Sequence, residues 1–161
     1  GYTFPEYLEK IDMLRSNAPG CAITTDMIVG FPGESNNDFE ATLKALEQIH
    51  FDQIFSFKFS ARPGTVAKHM PNQIPESVKK ERLLRVHSVQ DAITQIYHER
   101  SEGSMVEVLI EGEGRLQNQL CGRTRTNKIV NFNFKADHKV GDIVKVKILR
   151  GLKHSLLGEI V

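Results

Sequence analysis

The sequence predicts an α/β body followed by a small all-β module, and three observations carry that reading. Strand and helix periodicities alternate through roughly the first hundred residues, as βαβ units require. After Ser104 the apolar period changes to two and stays there. The 161 residues, 40% of them hydrophobic, are enough to bury a core in one domain or in two small ones.

The elements follow in order. Thr3 with Pro5 and Glu6 reads as a helix start, and Phe4, Tyr7, Leu8, Ile11 and Leu14 give that helix one apolar stripe as far as Asn17. Pro19-Gly20 ends it. Residues 22–29 form a strand, whose continuous apolar run from Met27 to Val29 is expected to be covered on both faces. Gly30-Phe31-Pro32-Gly33 breaks that strand. Ser35 and Asp38 resemble a capping box, and Phe39, Leu43, Leu46 and Ile49 form the inward stripe of a second helix. A second strand covers 54–59, which completes a βαβ unit with a right-handed crossover. A long helix starts near Pro75-Glu76, with Val78, Val86, Val89, Ile93, Ile96 and Tyr97 inward and Lys79, Lys80, Arg82 and Arg85 on its outer surface.

Five short strands then fall at 105–110, 120–122, 128–132, 143–148 and 155–160, separated by Gly, Asn and Asp turns. So many short strands in so few residues indicate a closed or nearly closed antiparallel barrel resembling an oligonucleotide-binding fold. A boundary near Glu102-Gly103 divides the chain into 1–102 and 103–161. The net charge of +1 hides an asymmetry across it: residues 103–161 hold ten basic and six acidic residues, the remainder eleven and fourteen. A basic module of this kind suits a polyanion.

Candidate chemistry is sparse. Cys21 and Cys121 are far apart and read as buried structural thiols, with no disulfide or metal spacing, and the six histidines read as surface or boundary residues. Two loops follow the two α/β strands, where ligands gather in such folds. In the first, the glycines of residues 30–33 allow close backbone approach to a ligand, or serve only as a tight turn into the helix. In the second, Arg62 stands beside Pro63-Gly64, suited to a carboxylate or phosphate or to a surface ion pair. In the small barrel Arg115, Arg123, Arg125 and Lys128 flank Asn127, Asn131, Phe132 and Phe134. Cations for phosphates, with amides and rings for bases, make a single-strand recognition set. The alternative is a solvated basic face with a phenylalanine in the core. No apolar run is long enough to span a membrane, and a soluble, cytoplasmic, monomeric protein is expected. The opening Gly1 makes the sequence read as part of something longer.

Gly1-Tyr2-Thr3 with Glu6-Tyr7, residues 25–34, residues 57–65 and Glu81-Arg82-Leu83 together resemble the C-terminal half of the radical S-adenosylmethionine methylthiotransferases. Residues 122–132 are similar to the start of their TRAM domain, in the form typical of the MiaB branch. The resemblance runs end to end in the family's order. It implies the last part of a partial TIM-type β/α barrel followed by a five-stranded antiparallel TRAM barrel. It also implies an enzyme that adds sulfur and a methyl group at carbon 2 of N6-prenylated adenosine beside the tRNA anticodon. The cofactors implied are S-adenosylmethionine and two 4Fe-4S clusters, one held by C-x3-C-x2-C. Neither cysteine set occurs in this sequence, so these 161 residues are expected to be inactive alone.

Carried over by position, Asp26, Ile28 and Gly30 match the strand on which the cofactor's adenine rests, with Asp26 where many of the family have glycine. Phe59 and Ser60 match a strand end that offers backbone groups to the adenine, and Arg62 matches the active-site mouth. With the small barrel taken to hold the tRNA anticodon stem-loop, Arg115, Arg123, Arg125, Asn127, Lys128, Asn131 and Phe132 are its expected RNA-binding residues. Enzymes of the same family acting on threonylcarbamoyl-adenosine or on a ribosomal protein aspartate are the nearer alternatives. A non-catalytic RNA-binding module is the more distant one.

Overall fold

The structure, a computed structural model, describes residues 1–133 and 138–161. Phe134, one of the ring candidates, lies outside the described residues. The chain divides into two compact units, residues 1–17 with 23–93 and residues 18–22 with 94–161.

The first unit is a βαβ element with two further helices. Strands β1 (Thr24–Val29) and β2 (Gln53–Lys58) pair in parallel, with Ile28 opposite Phe57 and Asp26 opposite Phe55. Helix α1 (Phe4–Asn17) precedes β1, and α2 (Asn36–Ile49) joins the two strands. A short 3-10 turn (Val66–His69) leads on to α3 (Glu76–Arg100), whose residues up to Ile93 belong to this unit. Ser35 caps α2 as its local pattern predicts. Its hydroxyl accepts the Asp38 N–H at 3.2 Å, while the Asp38 carboxylate accepts the Ser35 N–H at 2.9 Å. The core forms on one face of the sheet from Ile11, Ile23, Val29, Phe39, Leu43, Leu46, Ile49, Phe51 and Val86.

The other face of this sheet is open. Ile28, Phe55 and Phe57 are all exposed, so the run from Met27 to Val29 alternates where cover on both faces was expected. The described residues supply two parallel strands and no β/α barrel. Nothing among the described residues of this unit packs on the second face, which is why Ile28 lies outside its core.

The second unit is a closed barrel in the order β3-β4-β5-β7-β6. Its strands are β3 (Met105–Glu113), β4 (Gln119–Thr124), β5 (Ile129–Asn133), β6 (Ile143–Gly151) and β7 (Leu156–Ile160). All five expected strands are present. The expected all-antiparallel pairing is not, because β5 and β7 run parallel, with Asn131 opposite Leu157. The barrel is therefore mixed. Alternation places Val108, Ile110, Leu120, Val130, Phe132, Val144, Val146, Ile148 and Leu156 inside. Register shifts at Ile110/Gly112 and Ile148/Arg150 insert one extra residue in β3 and one in β6, the bulges that let short strands curl into closure. Gly122 is required where β4 crosses β3. A Cβ there would collide with the Leu109 carbonyl.

Candidate functional site

At the C-terminal ends of β1 and β2 the sequence supplies a Gly-Phe-Pro-Gly-Glu turn, and the structure shows what holds it. Glu34 folds its carboxylate back onto the turn, accepting the Gly30 N–H at 2.6 Å and the Arg82 guanidinium at 2.5 Å. Arg82 also donates to the Glu34 carbonyl at 3.1 Å and to the Asn36 side chain at 2.9 Å, with its guanidinium over the Phe39 ring. It is 5% exposed, not on the outer surface of α3 as expected. Lys79 is drawn in as well. Its ammonium donates to the Phe59 carbonyl at 3.2 Å and lies over the Phe59 ring, which meets Phe31 edge to face at 5.1 Å. Gly30 has φ +74 and lies so close to the Lys79 stem that a Cβ would overlap it.

This arrangement revises what the predicted ligand residues have to offer. The Gly30 N–H is engaged by Glu34, and Phe59 donates its own N–H to the Val29 carbonyl at 2.8 Å. Its carbonyl already accepts Lys79. The backbone groups of Gly30 and Phe59 therefore have partners within the chain. The side chains of Asp26 and Ile28 lie on the open sheet face beside Phe55 and Phe57, and Ser60 and Arg62 are exposed beyond β2. The open face thus presents an apolar wall with one carboxylate, and the exposed arginine follows the strand end. Sequence reasoning missed Glu34, Lys79 and Arg82, whose partners lie up to 48 residues away.

On the barrel the predicted RNA residues separate into groups. Arg123 donates to Glu111 at 3.0 Å and to the Asn127 side chain at 3.0 Å, and Arg125 donates to Glu107 at 2.7 Å. These pairs border an outer-surface concavity of about 410 Å³ that also takes in Leu109 and Ile143. Asn127 has φ 62, the left-handed turn position between β4 and β5. The Lys128 ammonium lies over the Tyr97 ring at 5.4 Å. Arg115 and Asn131 fall together in a different groove, with His154. Phe132 is corrected: it is fully buried in the barrel core, so its ring is not presented to a base.

Two further expectations change. Cys21 is exposed and Cys121 half-buried, so neither is a core thiol. His98 is 5% exposed, and its Nδ1 bonds the Leu152 carbonyl at 2.6 Å. Burial pushes its pKa below the ordinary 6.5, against the opposing carbonyl bond, with Lys128 and His154 adding to the depression. Among the described residues no group of three or more His, Cys, Asp or Glu is arranged to hold a metal ion, and no helix is long and apolar enough to cross a membrane.

The closed five-stranded barrel with cations on its outer surface is a TRAM domain; that family matches residues 99–161. The chain as a whole aligns with proteins named tRNA-2-methylthio-N(6)-dimethylallyladenosine synthase. The one from Thermodesulfovibrio yellowstonii is 49% identical over 160 residues, covering 99% of this chain and 36% of that protein. The one from Aquifex aeolicus is 46% identical over 162 residues, covering 100% and 36%. By these relationships the chain belongs to the tRNA methylthiotransferase family, and it spans about a third of the length of the curated relatives it matches. Among solved structures, the apo form of Mycoplasma genitalium RNase R aligns over 52% of this chain and 17% of that one at 10% identity and TM-score 0.35, a likeness too slight to bear on fold or function.

Proposed function

We propose that this chain is part of a radical S-adenosylmethionine enzyme that methylthiolates carbon 2 of N6-prenylated adenosine next to the tRNA anticodon. Residues 1–102 form part of its cofactor and substrate barrel, and residues 103–161 hold the anticodon stem-loop. The observation that most supports this reading is an overall identity of 43 to 49% in alignments that cover 99% or more of the chain and so take in both the α/β unit and the TRAM domain. The protein works as a cytoplasmic monomer.

The residues present fit the two kinds of cofactor differently. Cys21, between α1 and β1, and Cys121, in β4, lie a hundred residues apart and form no cluster-binding set, so the iron-sulfur centres do not fit this chain. S-adenosylmethionine fits the open sheet face: Ile28 and Phe57 offer an apolar wall, and Arg62 is an exposed cation suited to a carboxylate. When bound, that cofactor supplies the transferred methyl group and the radical chemistry. This chain's own residues exclude water from a ring laid against the wall and orient it. Asp26, on the same face, accepts a hydrogen bond from an amine.

Base-modification profiling of tRNA from a strain lacking the gene is the decisive test. Loss of the 2-methylthio group with the prenyl group retained supports the reading. Unchanged prenyl-adenosine, with loss instead at threonylcarbamoyl-adenosine, transfers the protein to the neighbouring branch.

A further inference from the structure

The barrel carries a second outer concavity, apart from the ion-paired patch around Arg123 and Arg125. It lies over β5 and measures about 280 Å³. Three elements bring it together. Arg115 stands on the β3–β4 connection, which the Gly114 N–H closes by donating to the Gln119 carbonyl at 2.6 Å. His154 stands on the β6–β7 turn, closed by the Leu152 N–H donating to the Ser155 carbonyl at 2.8 Å. Asn131 projects from β5, opposite Cys121 of β4 and Leu157 of β7. Because Val130 and Phe132 point into the core, Ile129 and Asn131 must face outward on the same strand.

The side chains of Arg115, Asn131 and His154 have no hydrogen bond or ion pair to another residue among those described. That sets them apart from Arg123, Arg125 and Asn127, whose polar groups already have partners. An amide offers a donor and an acceptor together, which a nucleobase edge matches and a phosphate does not. An imidazole presents a flat face to a ring, and Ile129 with Cys121 makes an apolar floor. Glu113 at the rim disfavours a purely anionic ligand yet accepts from an exocyclic amino group. The volume is at the small end for ligand sites and accommodates one base.

We propose that this groove takes a single unpaired nucleotide of an RNA strand, with Asn131 at the polar edge of the base, His154 against its face and Arg115 at a flanking phosphate. The inference rests on the reading of the barrel as RNA-binding and names the unit it recognises. Paired bases are excluded because their edges are occupied and the deep groove of an A-form helix does not admit side chains.

The test uses the 161-residue chain with fluorescein-labelled oligoadenylate, oligocytidylate and oligouridylate, and an RNA duplex of equal length. Asn131→Ala should weaken single-strand binding about five- to tenfold for the preferred base, leave the duplex unchanged and keep the salt slope. Arg115→Ala should flatten the single-strand slope by about 0.7. In a Cys21→Ser background, bound oligonucleotide should slow alkylation of Cys121 on the groove floor, a reading that needs no groove substitution. Salt-dependent RNA binding that is indifferent to both substitutions, with Cys121 unprotected, overturns the groove and leaves the barrel's RNA role standing. Failure of the chain to bind these probes or tRNA at low salt overturns both.

Discussion

Arg82 donates to three oxygens at once from a side chain only 6% exposed, and Glu34 beside it is 12% exposed. Removing one member of a buried pair leaves the other charge without compensation, which costs more than the pair itself contributes. Arg82→Ala is therefore expected to destabilise the chain by about 3 kcal/mol in urea titration. Arg82→Lys should recover little, since an ammonium cannot span the three acceptors. His98 gives a second expectation, in acid. Its folded pKa lies below 6.5, so the unfolded chain takes up the proton first as pH falls. Stability of the barrel unit should be level above about pH 7, decline as pH drops through 6.5, and level off again below the depressed folded value. Thermal melts from pH 7.5 to 5 should show that decline, and His98→Gln should reduce it. Neither residue was legible in the sequence. An arginine and a histidine on a helix read as surface, and only partners 48 and 54 residues distant bury them.

At the scale of elements, features set by near neighbours were legible and those set by distant pairing were not. The capping of α2 shows the first kind: Ser35 and Asp38 lie three apart, and both reciprocal bonds form. The Ser35 hydroxyl also donates to the Asp38 carboxylate at 2.7 Å, and this bond first, with the Ser35 N–H second, holds that carboxyl below its ordinary pKa. Ser35→Ala should cost about 1 kcal/mol by denaturant titration. The stabilisation through Asp38 is present above the ordinary carboxylate pKa and lost as pH falls through the depressed one. The β5–β7 pairing shows the second kind. Period-two patterning identifies five strands and an inward face, but says nothing about which strand lies beside which, so the parallel pair was invisible. The open face of β1–β2 departs from the sequence expectation for the same reason. An apolar run reports a preference for cover, not whether these residues provide it. The glycine pattern at Gly30 predicts close approach by a ligand, whereas the close approach it permits is by Lys79.

For the whole molecule, charge distribution bears most directly on the proposed function. Phosphate contacts release condensed counterions, so tRNA affinity should fall with salt along a slope set by the cations engaged. Arg123→Ala and Lys128→Ala should each weaken tRNA binding and flatten that slope by on the order of one unit or less. The pairing of Arg123 with Glu111 at 3.0 Å adds a directional expectation: Glu111→Gln should strengthen binding and steepen the slope. A slope unmoved by all three variants would make this patch solvated charge, as the alternative reading of the sequence holds. The barrel's topology has a further consequence, for the order in which it can be built. β7 lies between β5 and β6, both of which precede it in the chain, and joins Asn131 to Leu157 and Ile148 to Gly158. Until β7 arrives, β5 and β6 each present a row of unpaired backbone groups, the template on which one chain recruits another. A nascent or truncated chain lacking residues 156–160 is therefore aggregation-prone even with four of its five strands complete, and closure must await contacts of long sequence separation, which form slowly.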